Sequence, residues 1–455
     1  MCATEHQTQG GATLLRAFSE GERLSKVSVN PTRGMRDILP EEVAKRNLAL
    51  SSIRSVYRSY GFEEIETPIV ESLPLLGSGG GGENEKLIFK ILKRGEKLQE
   101  AVEGGALEDL LAESGLRFDL TVPLGRFYAA NHHRLPRPFK SCQIGNVFRA
   151  ERPQKGRYRQ FLQVDIDVLG DEGPQAEVDL LSAATSALHK IGLEGFETRI
   201  NDRRILEDLA EKFGFSAPTH KQLFISLDKL DKVDSQAVLE ELVTRGFDRV
   251  AAGEFLSVLT KFATETDSLA ALAELSVPTE HLERLLWVKE ALSQSVEGSS
   301  DVLIDPLVIR GMSYYTSSVF EISHPKWGTS IAGGGRYDDM LERYQVASPA
   351  CGISLGFERI MGLLDEMMAA RSSEVSKTTV IYDPIDQLRV ASETASKIRE
   401  SGGVASLQMR AKNLGSQIKR LEAEALQRRS EGSKDRFYIW IVGRQGPEEI
   451  ATEAK

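Results

Sequence analysis

The chain has 455 residues, 41% of them hydrophobic and 27% charged, ordinary globular values that exclude a mostly disordered, collagen-like or disulfide-scaffold protein. Its length exceeds what one hydrophobic core usually serves, so two or three domains are expected. The net charge of −10 is uneven: Ser376 to Lys455 carries 14 basic against 11 acidic residues, a mild pointer to a nucleic acid partner for that segment alone.

Residues 1–27 lack a sustained period and read as a mobile leader. They contain neither a basic segment followed by an apolar run nor any stretch of the ~20 apolar residues that crosses a bilayer. Cys2, Cys142 and Cys351 are scattered without metal-ligand spacing, which fits a reducing cytoplasm. From Pro40, residues Leu50, Ile53, Tyr57 and Tyr60 recur at helical spacing until Gly61. A strand is predicted over Phe62 to Val70, broken by Pro68, and Gly77 to Glu85 is a glycine-rich loop, either a lid or a linker.

Two strands are predicted between Phe139 and Gly170, joined by a loop at Arg152 to Tyr158. In the second, period-two alternation puts Leu162, Val164, Ile166 and Val168 on one face. Arg159, Phe161, Gln163, Asp165 and Asp167 take the other, a polar row that faces either water or a ligand. Residues 204–294 are helix-like, with leucines at helical spacing and no dense polar constellation. Strands are predicted at Leu303 to Ile309 and Ser318 to Ile322, followed by a glycine turn in IAGGGRYDDM and a strand feeding a helix in CGISLGFERIMGLL. Beyond a linker, the pattern is βαβαβ: a strand at Thr379 to Tyr382, a helix with Leu388, Ala391, Ala395 and Ile398 on one face, and a strand near Val404. A helix with Leu414, Ile418, Leu421 and Ala425 and the strand FYIWIVG complete it. That order predicts a small, largely parallel sheet.

P-loop, HExxH and paired CxxC motifs are all absent from the sequence. Arginines near predicted turns are abundant instead: Arg149, Arg157, Arg159, Arg310, Arg336 and Arg359. Their planar forks grip phosphate or carboxylate in bidentate fashion, so several converging on one pocket suit a triphosphate.

FRAERPQKGRYRQFLQVDID, IRGMSYYTSSVFE, AGGGRYD and GISLGFERI, with RGMRDILP and LRFDLTVP, resemble the histidyl-tRNA synthetase family of class II aminoacyl-tRNA synthetases over roughly Pro31 to Gly443. The resemblance implies an α+β catalytic core built on an antiparallel six-stranded sheet flanked by helices, with a helical insertion and a C-terminal α/β anticodon-binding domain. Its expected divisions are a leader at 1–27, core at 28–203, insertion at 204–294, core at 295–365, linker at 366–377 and anticodon-binding domain at 378–455. It also implies ATP-dependent activation of L-histidine and transfer to tRNA(His), with Mg2+ on the ATP, in a cytoplasmic homodimer whose interface includes the strand of Pro68.

By the same resemblance, Arg149 bridges the histidine carboxylate and the ATP α-phosphate, and Arg310 lies on the far side of that phosphate. Glu151 and Phe161 hold the adenine, while Arg157 and Arg359 hold the triphosphate. Asp119, Thr121 and Gln163 cradle the α-ammonium, Asp167 and Tyr315 read the imidazole, and Tyr314 packs the wall. The resemblance leaves the magnesium ligands open.

Three departures accompany it: Ser313 where the family usually has Asp, Leu162 where His is common, and a tail shorter than the usual further strand and closing helix. Two alternatives compete. One is a silent paralogue that binds histidine as a regulatory subunit of ATP phosphoribosyltransferase, against which stand the basic tail and the complete set of ATP arginines. The other is activation of histidine for a different acceptor.

Overall fold

The computed structural model describes residues 28–77, 84–104, 108–153, 157–227, 229–230, 233–262, 278–295, 302–309, 315–325, 329–368, 376–383, 387–430, 435–444 and 446–450. The leader, most of the glycine loop at 77–85, and Arg310, Ser313 and Tyr314 lie outside these residues. The chain divides into two compact units, residues 1–362 and 363–455.

In the first unit, α1 (Pro40–Ser59) starts with Pro at its first turn, where the missing N–H costs nothing. It buries Leu50, Ile53 and Tyr57 and ends before Gly61, whose φ of 84° only glycine adopts freely. The expected strand at Phe62 to Val70 is instead two short ones. β1 (Glu63–Glu64) lies parallel to β5 (Phe139–Phe148), and β2 (Val70–Ser72) joins β4 (Ala112–Leu116) and β3 (Phe89–Leu92) in a separate sheet. The break is fixed at Thr67 and Pro68, which lie outside both strands: Arg117 Nη1 takes the Thr67 carbonyl at 2.7 Å, diverting the chain from one sheet to the other.

The central sheet contains β5, β6 (Gln160–Leu169), β7 (Glu197–Asp202), β9 (Ser318–His324), β10 (Thr329–Arg336) and β11 (Ala350–Gly356). In the order β5-β6-β11-β10-β9-β7 every neighbour is antiparallel, the six-stranded arrangement expected, while β1 and β8 (Val302–Ile304) add short parallel edges. β8 is shorter than the strand predicted to Ile309, because Asp305 opens a turn by accepting the Leu307 N–H. The glycine triplet Gly333 to Gly335, expected as a turn, lies inside β10. Glycine is required there by space: a Cβ on Gly334 would stand 2.0 Å from the Gly352 carbonyl oxygen, and one on Gly335 2.9 Å from the Tyr315 ring.

Helix α5 (Gln175–Lys190) buries Leu180, Leu181, Ala183, Ala184, Ala187 and Leu188, its small residues allowing close approach to β11 and α1. Between β7 and β8 run α6 (Arg203–Lys212), α7 (Ala217–Leu227), α8 (Ser235–Thr244), α9 (Arg249–Phe262) and α10 (Thr279–Ser295). Asp202 and Asp234 cap α6 and α8 by accepting N–H groups of Arg204 and Ala237, each such cap stabilising a helix by about 1 kcal/mol. α11 (Phe357–Met368) follows β11 directly and continues into the stretch expected as a linker.

The second unit has β12 (Ser376–Tyr382), α12 (Leu388–Glu400), β13 (Val404–Met409), α13 (Leu414–Ser430), β14 (Arg436–Ile441) and β15 (Glu448–Glu449). β12 lies parallel to both β13 and β14, as the βαβαβ pattern predicts. Successive residues of β12 serve opposite cores: Val380 packs with Ala391, Ala395 and Ala405, and Ile381 with Leu421, Ala425 and Ile439. Leu388, expected on the inner face of α12, is 40% exposed at the helix start. The short tail supplies an antiparallel strand after all, β15, with Ile450 buried beside Phe437.

Candidate active site

The polar row of β6 faces a cavity of about 260 Å3 in the first unit, not open water. Val164, Ile166 and Val168 are fully buried on the opposite face, while Asp165 and Asp167 are only 4% and 3% exposed. Register decides which neighbours they meet. Asp167 pairs with Gly352 on β11, and a Cβ at Gly352 would stand 1.9 Å from Asp167 Oδ1, so glycine leaves the room the carboxylate occupies. Tyr337, just past β10, donates its hydroxyl to the same oxygen at 2.5 Å. Gln163 donates to Ser354 Oγ of β11 at 3.0 Å.

Asp119 enters from the segment before α4 (Thr121–Asn131), where its Oδ1 accepts the Val122 N–H at 3.1 Å. Arg149, just beyond β5, is held by Nε on the Phe118 carbonyl at 3.1 Å and by its guanidinium over the Phe161 ring at 5.0 Å. Asp119, Thr121, Arg149, Gln163, Asp165, Asp167, Tyr315 and Tyr337 all line the cavity.

Three carboxylates against one arginine give the lining an acidic balance. Burial, opposed by Arg149 and Arg117, pushes the Asp119 carboxyl up to about 6. Burial likewise takes Asp167 to about 7, against the hydrogen bond from Tyr337. Asp165 is raised well above its ordinary range by burial and by the neighbouring Asp167 charge, with Ser354 holding it down in part. Gln163 Oε1, Asp165 Oδ1 and Asp167 Oδ2 have no hydrogen-bond partner within the described protein. Buried acceptors are rarely left so, and three in one small cavity call for a ligand rich in N–H donors, preferably cationic. At this size the cavity has room for an amino acid.

A sequence model of the family described as "Histidyl-tRNA synthetase" matches residues 34–360. The histidine–tRNA ligase of Leifsonia xyli subsp. xyli is 41% identical over 406 residues, 87% of this chain and 93% of that protein. The chain belongs to the histidyl-tRNA synthetase family. Two solved structures share its fold: histidyl-tRNA synthetase from Nostoc sp. PCC 7120, with a TM-score of 0.70 at 23% identity over 92% of both chains, and a Bacillus halodurans protein. The latter, titled "ATP phosphoribosyltransferase regulatory subunit/histidyl-tRNA synthetase", has a TM-score of 0.72 at 19% identity over 92% of this chain and 99% of that one.

Against that family frame, the structure gathers Asp119, Thr121, Arg149, Gln163, Asp167 and Tyr315 around one cavity, while Glu151, Arg157, Phe161 and Arg359 do not line it. Phe161 sits beside it through Arg149. Glu151 lies beyond β5, which ends at Phe148, and its carbonyl accepts Arg159 Nε at 2.9 Å. Arg157 is exposed, and Arg359, in the first turn of α11, donates to the Ser330 carbonyl. Of the eight lining residues named above, two received no role from the sequence. Asp165 was visible in the alternation as the fourth member of the polar row. Tyr337 stands in the quoted AGGGRYD block, but its bond to Asp167 spans 170 positions and depends on the β10-β11-β6 register. The hydroxyl seen on Asp167 is thus Tyr337's, with Tyr315 a second aromatic in the same lining.

Proposed function

We propose that this chain is a histidine–tRNA ligase, activating L-histidine with ATP and transferring it to the 3' end of tRNA(His). The observation that carries the reading is Asp167: one oxygen is held by Tyr337 and the other is without a partner, at the wall of a small acidic cavity in a chain of this family. A carboxylate aligned in that way accepts an imidazole N–H and leaves a buried acceptor unpaired when an isosteric ring lacks the donor, which penalises the wrong amino acid. Gln163, Thr121 and Asp119 take the α-ammonium, and Tyr314 and Tyr315 close the wall. Asp119 and Asp167, raised by burial, recover their charge on meeting a cation.

Arg149 orients the histidine carboxylate for in-line attack on the ATP α-phosphorus. The new P–O bond forms as the α–β bond breaks and pyrophosphate leaves. Arg310 offsets charge on the five-coordinate phosphorus, the kind of fixed cation whose removal costs about 10²–10³ in rate. Phe161 and Glu151 hold the adenine, and Arg157 and Arg359 hold the outer phosphates together with Mg2+. Magnesium in this reading would be carried on the phosphates, where it would offset their charge. In the second step the terminal ribose hydroxyl attacks the carbonyl of the adenylate and AMP departs.

In the same reading residues 204–294 form an insertion into the core and 378–455 bind the anticodon, the latter supported by its basic balance. A homodimer is supported by the exposed apolar side chains Ile69, Val70 and Leu92 in and beside the small sheet. A cytoplasmic setting is supported by buried free Cys142 and Cys351, and no described helix is long and apolar enough to cross a membrane. The regulatory-subunit alternative shares this fold, so fold alone does not separate the two; the 41% identical ligase favours catalysis. Charging of tRNA(His) transcript with labelled histidine tests the proposal: acylation is expected, and histidine binding without it would sink the ligase reading.

A further inference from the structure

Glu177, on α5, does not line the cavity, yet it is 1% exposed and its carboxylate collects three donors. Arg336 binds both oxygens, Nη2 to Oε2 at 2.7 Å and Nε to Oε1 at 3.2 Å. Arg284 of α10 reaches Oε1 at 2.8 and 3.1 Å, and Ser318 Oγ of β9 reaches it at 2.9 Å. Although burial opposes charge here, the two arginines keep the Glu177 carboxyl below its ordinary range.

Arg336 is itself 2% exposed, and its remaining donors take the Asp171 and Gly173 carbonyls, both at 2.9 Å, and Asp338 at 3.3 Å. A residue bound on so many sides fixes its backbone, and that backbone carries the cavity's two tyrosines. Tyr337 follows it directly. Thr316, next to Tyr315, donates its N–H to the Arg336 carbonyl at 2.7 Å, and its hydroxyl oxygen accepts the Asp338 N–H at 3.3 Å. One buried ion pair therefore anchors the backbone beside both tyrosines that line the cavity with Asp167. Arg284 ties the same carboxylate to a helix from the segment between β7 and β8, and also takes the Glu172 carbonyl at 3.2 Å.

We infer that Glu177 is a positioning residue for the amino-acid pocket, and that α10 is coupled to histidine binding through the chain Arg284, Glu177, Arg336, Tyr337 and Asp167. The inference rests on the reading of the cavity as the histidine site. Its physical content is that loosening α10 from Glu177 frees Arg336, and with it the Tyr337 hydroxyl, to move relative to Asp167. Arg359, assigned to the ATP side, bonds to the Ser330 carbonyl.

The test is histidine-dependent ATP–pyrophosphate exchange with wild type, Arg284→Ala, Arg284→Lys and Glu177→Gln. Arg284 is the informative position, since its side chain is 21% exposed and its removal cuts the tie between α10 and Glu177 without deleting either member of the Arg336–Glu177 pair. Arg284→Ala is expected to raise KM for histidine about three- to tenfold, with KM for ATP and kcat near wild type. Arg284→Lys is expected to restore part of the loss, and Glu177→Gln to act in the same direction more strongly. A folded Arg284→Ala protein with unchanged KM for histidine would overturn the inference. So would parallel rises in both KM values with a falling kcat, which report general loosening. Wild type that supports no histidine-dependent exchange would overturn the reading of the site, and the inference with it.

Discussion

The two ends of the site are built differently. The end assigned to histidine already holds its carboxylates: Asp165 and Asp167 are buried, Ser354 and Tyr337 engage them, and glycine at 352 leaves the room that Asp167 occupies. At the end assigned to ATP, Arg157 is exposed and Arg359 is engaged with a backbone carbonyl. The contrast follows from what each end must do. Selecting a small amino acid requires groups fixed before it arrives, because discrimination comes from leaving buried acceptors unpaired. Gripping a triphosphate requires planar cations that can turn to the phosphates when these arrive.

Breaking the prebuilt end should have the largest effect. Asp167→Ala is expected to lower kcat/KM for histidine in pyrophosphate exchange by about 10²–10³-fold, the cost of losing one partner of a buried charged hydrogen bond. KM for ATP should hardly move. Gly352→Ala reaches the same carboxylate through space, its Cβ 1.9 Å from Asp167 Oδ1, and should raise KM for histidine about tenfold or more through a displacement costing 1–3 kcal/mol. At the other end, Arg359→Ala should raise KM for ATP by about tenfold while sparing KM for histidine, read in the same assay.

The smallest expected effect is on stability. Asp167 titrates in its ordinary acid range when unfolded and near 7 when folded, so between those values the native state binds more protons. Stability is therefore lost as pH rises through that window, and the carboxylate costs the free protein most above pH 7. Asp167→Asn removes the cost: its melting temperature at pH 8 should exceed wild type by about 2–4 °C, with the gap closing by pH 4. A gap that widens toward low pH would contradict the sign.

The two ends were also unequally legible in the sequence. Alternation in β6 placed Gln163, Asp165 and Asp167 on one face, but left open whether that face met water. Only the facing strand answers that, and Gly352 and Ser354 reach it through pairing almost 190 positions away. The glycine triplet misled because glycine signals a turn when local freedom explains it, whereas in β10 the cause is the approach of the Gly352 carbonyl and the Tyr315 ring. The strand through Pro68 failed similarly, since the divergence of β1 and β2 is enforced by Arg117, remote in the chain. Local periods carried the helices of both units and the βαβαβ order of the second, where residues adjacent in sequence decide the outcome.

The central claim is that the buried acidic cavity selects histidine. It is tested most directly by ATP–pyrophosphate exchange across all the amino acids, run side by side with wild type and Asp167→Ala. The account predicts exchange with histidine alone in wild type, and its loss in Asp167→Ala protein that remains folded. Exchange driven by another amino acid, or histidine-dependent exchange that survives the loss of Asp167, would contradict it.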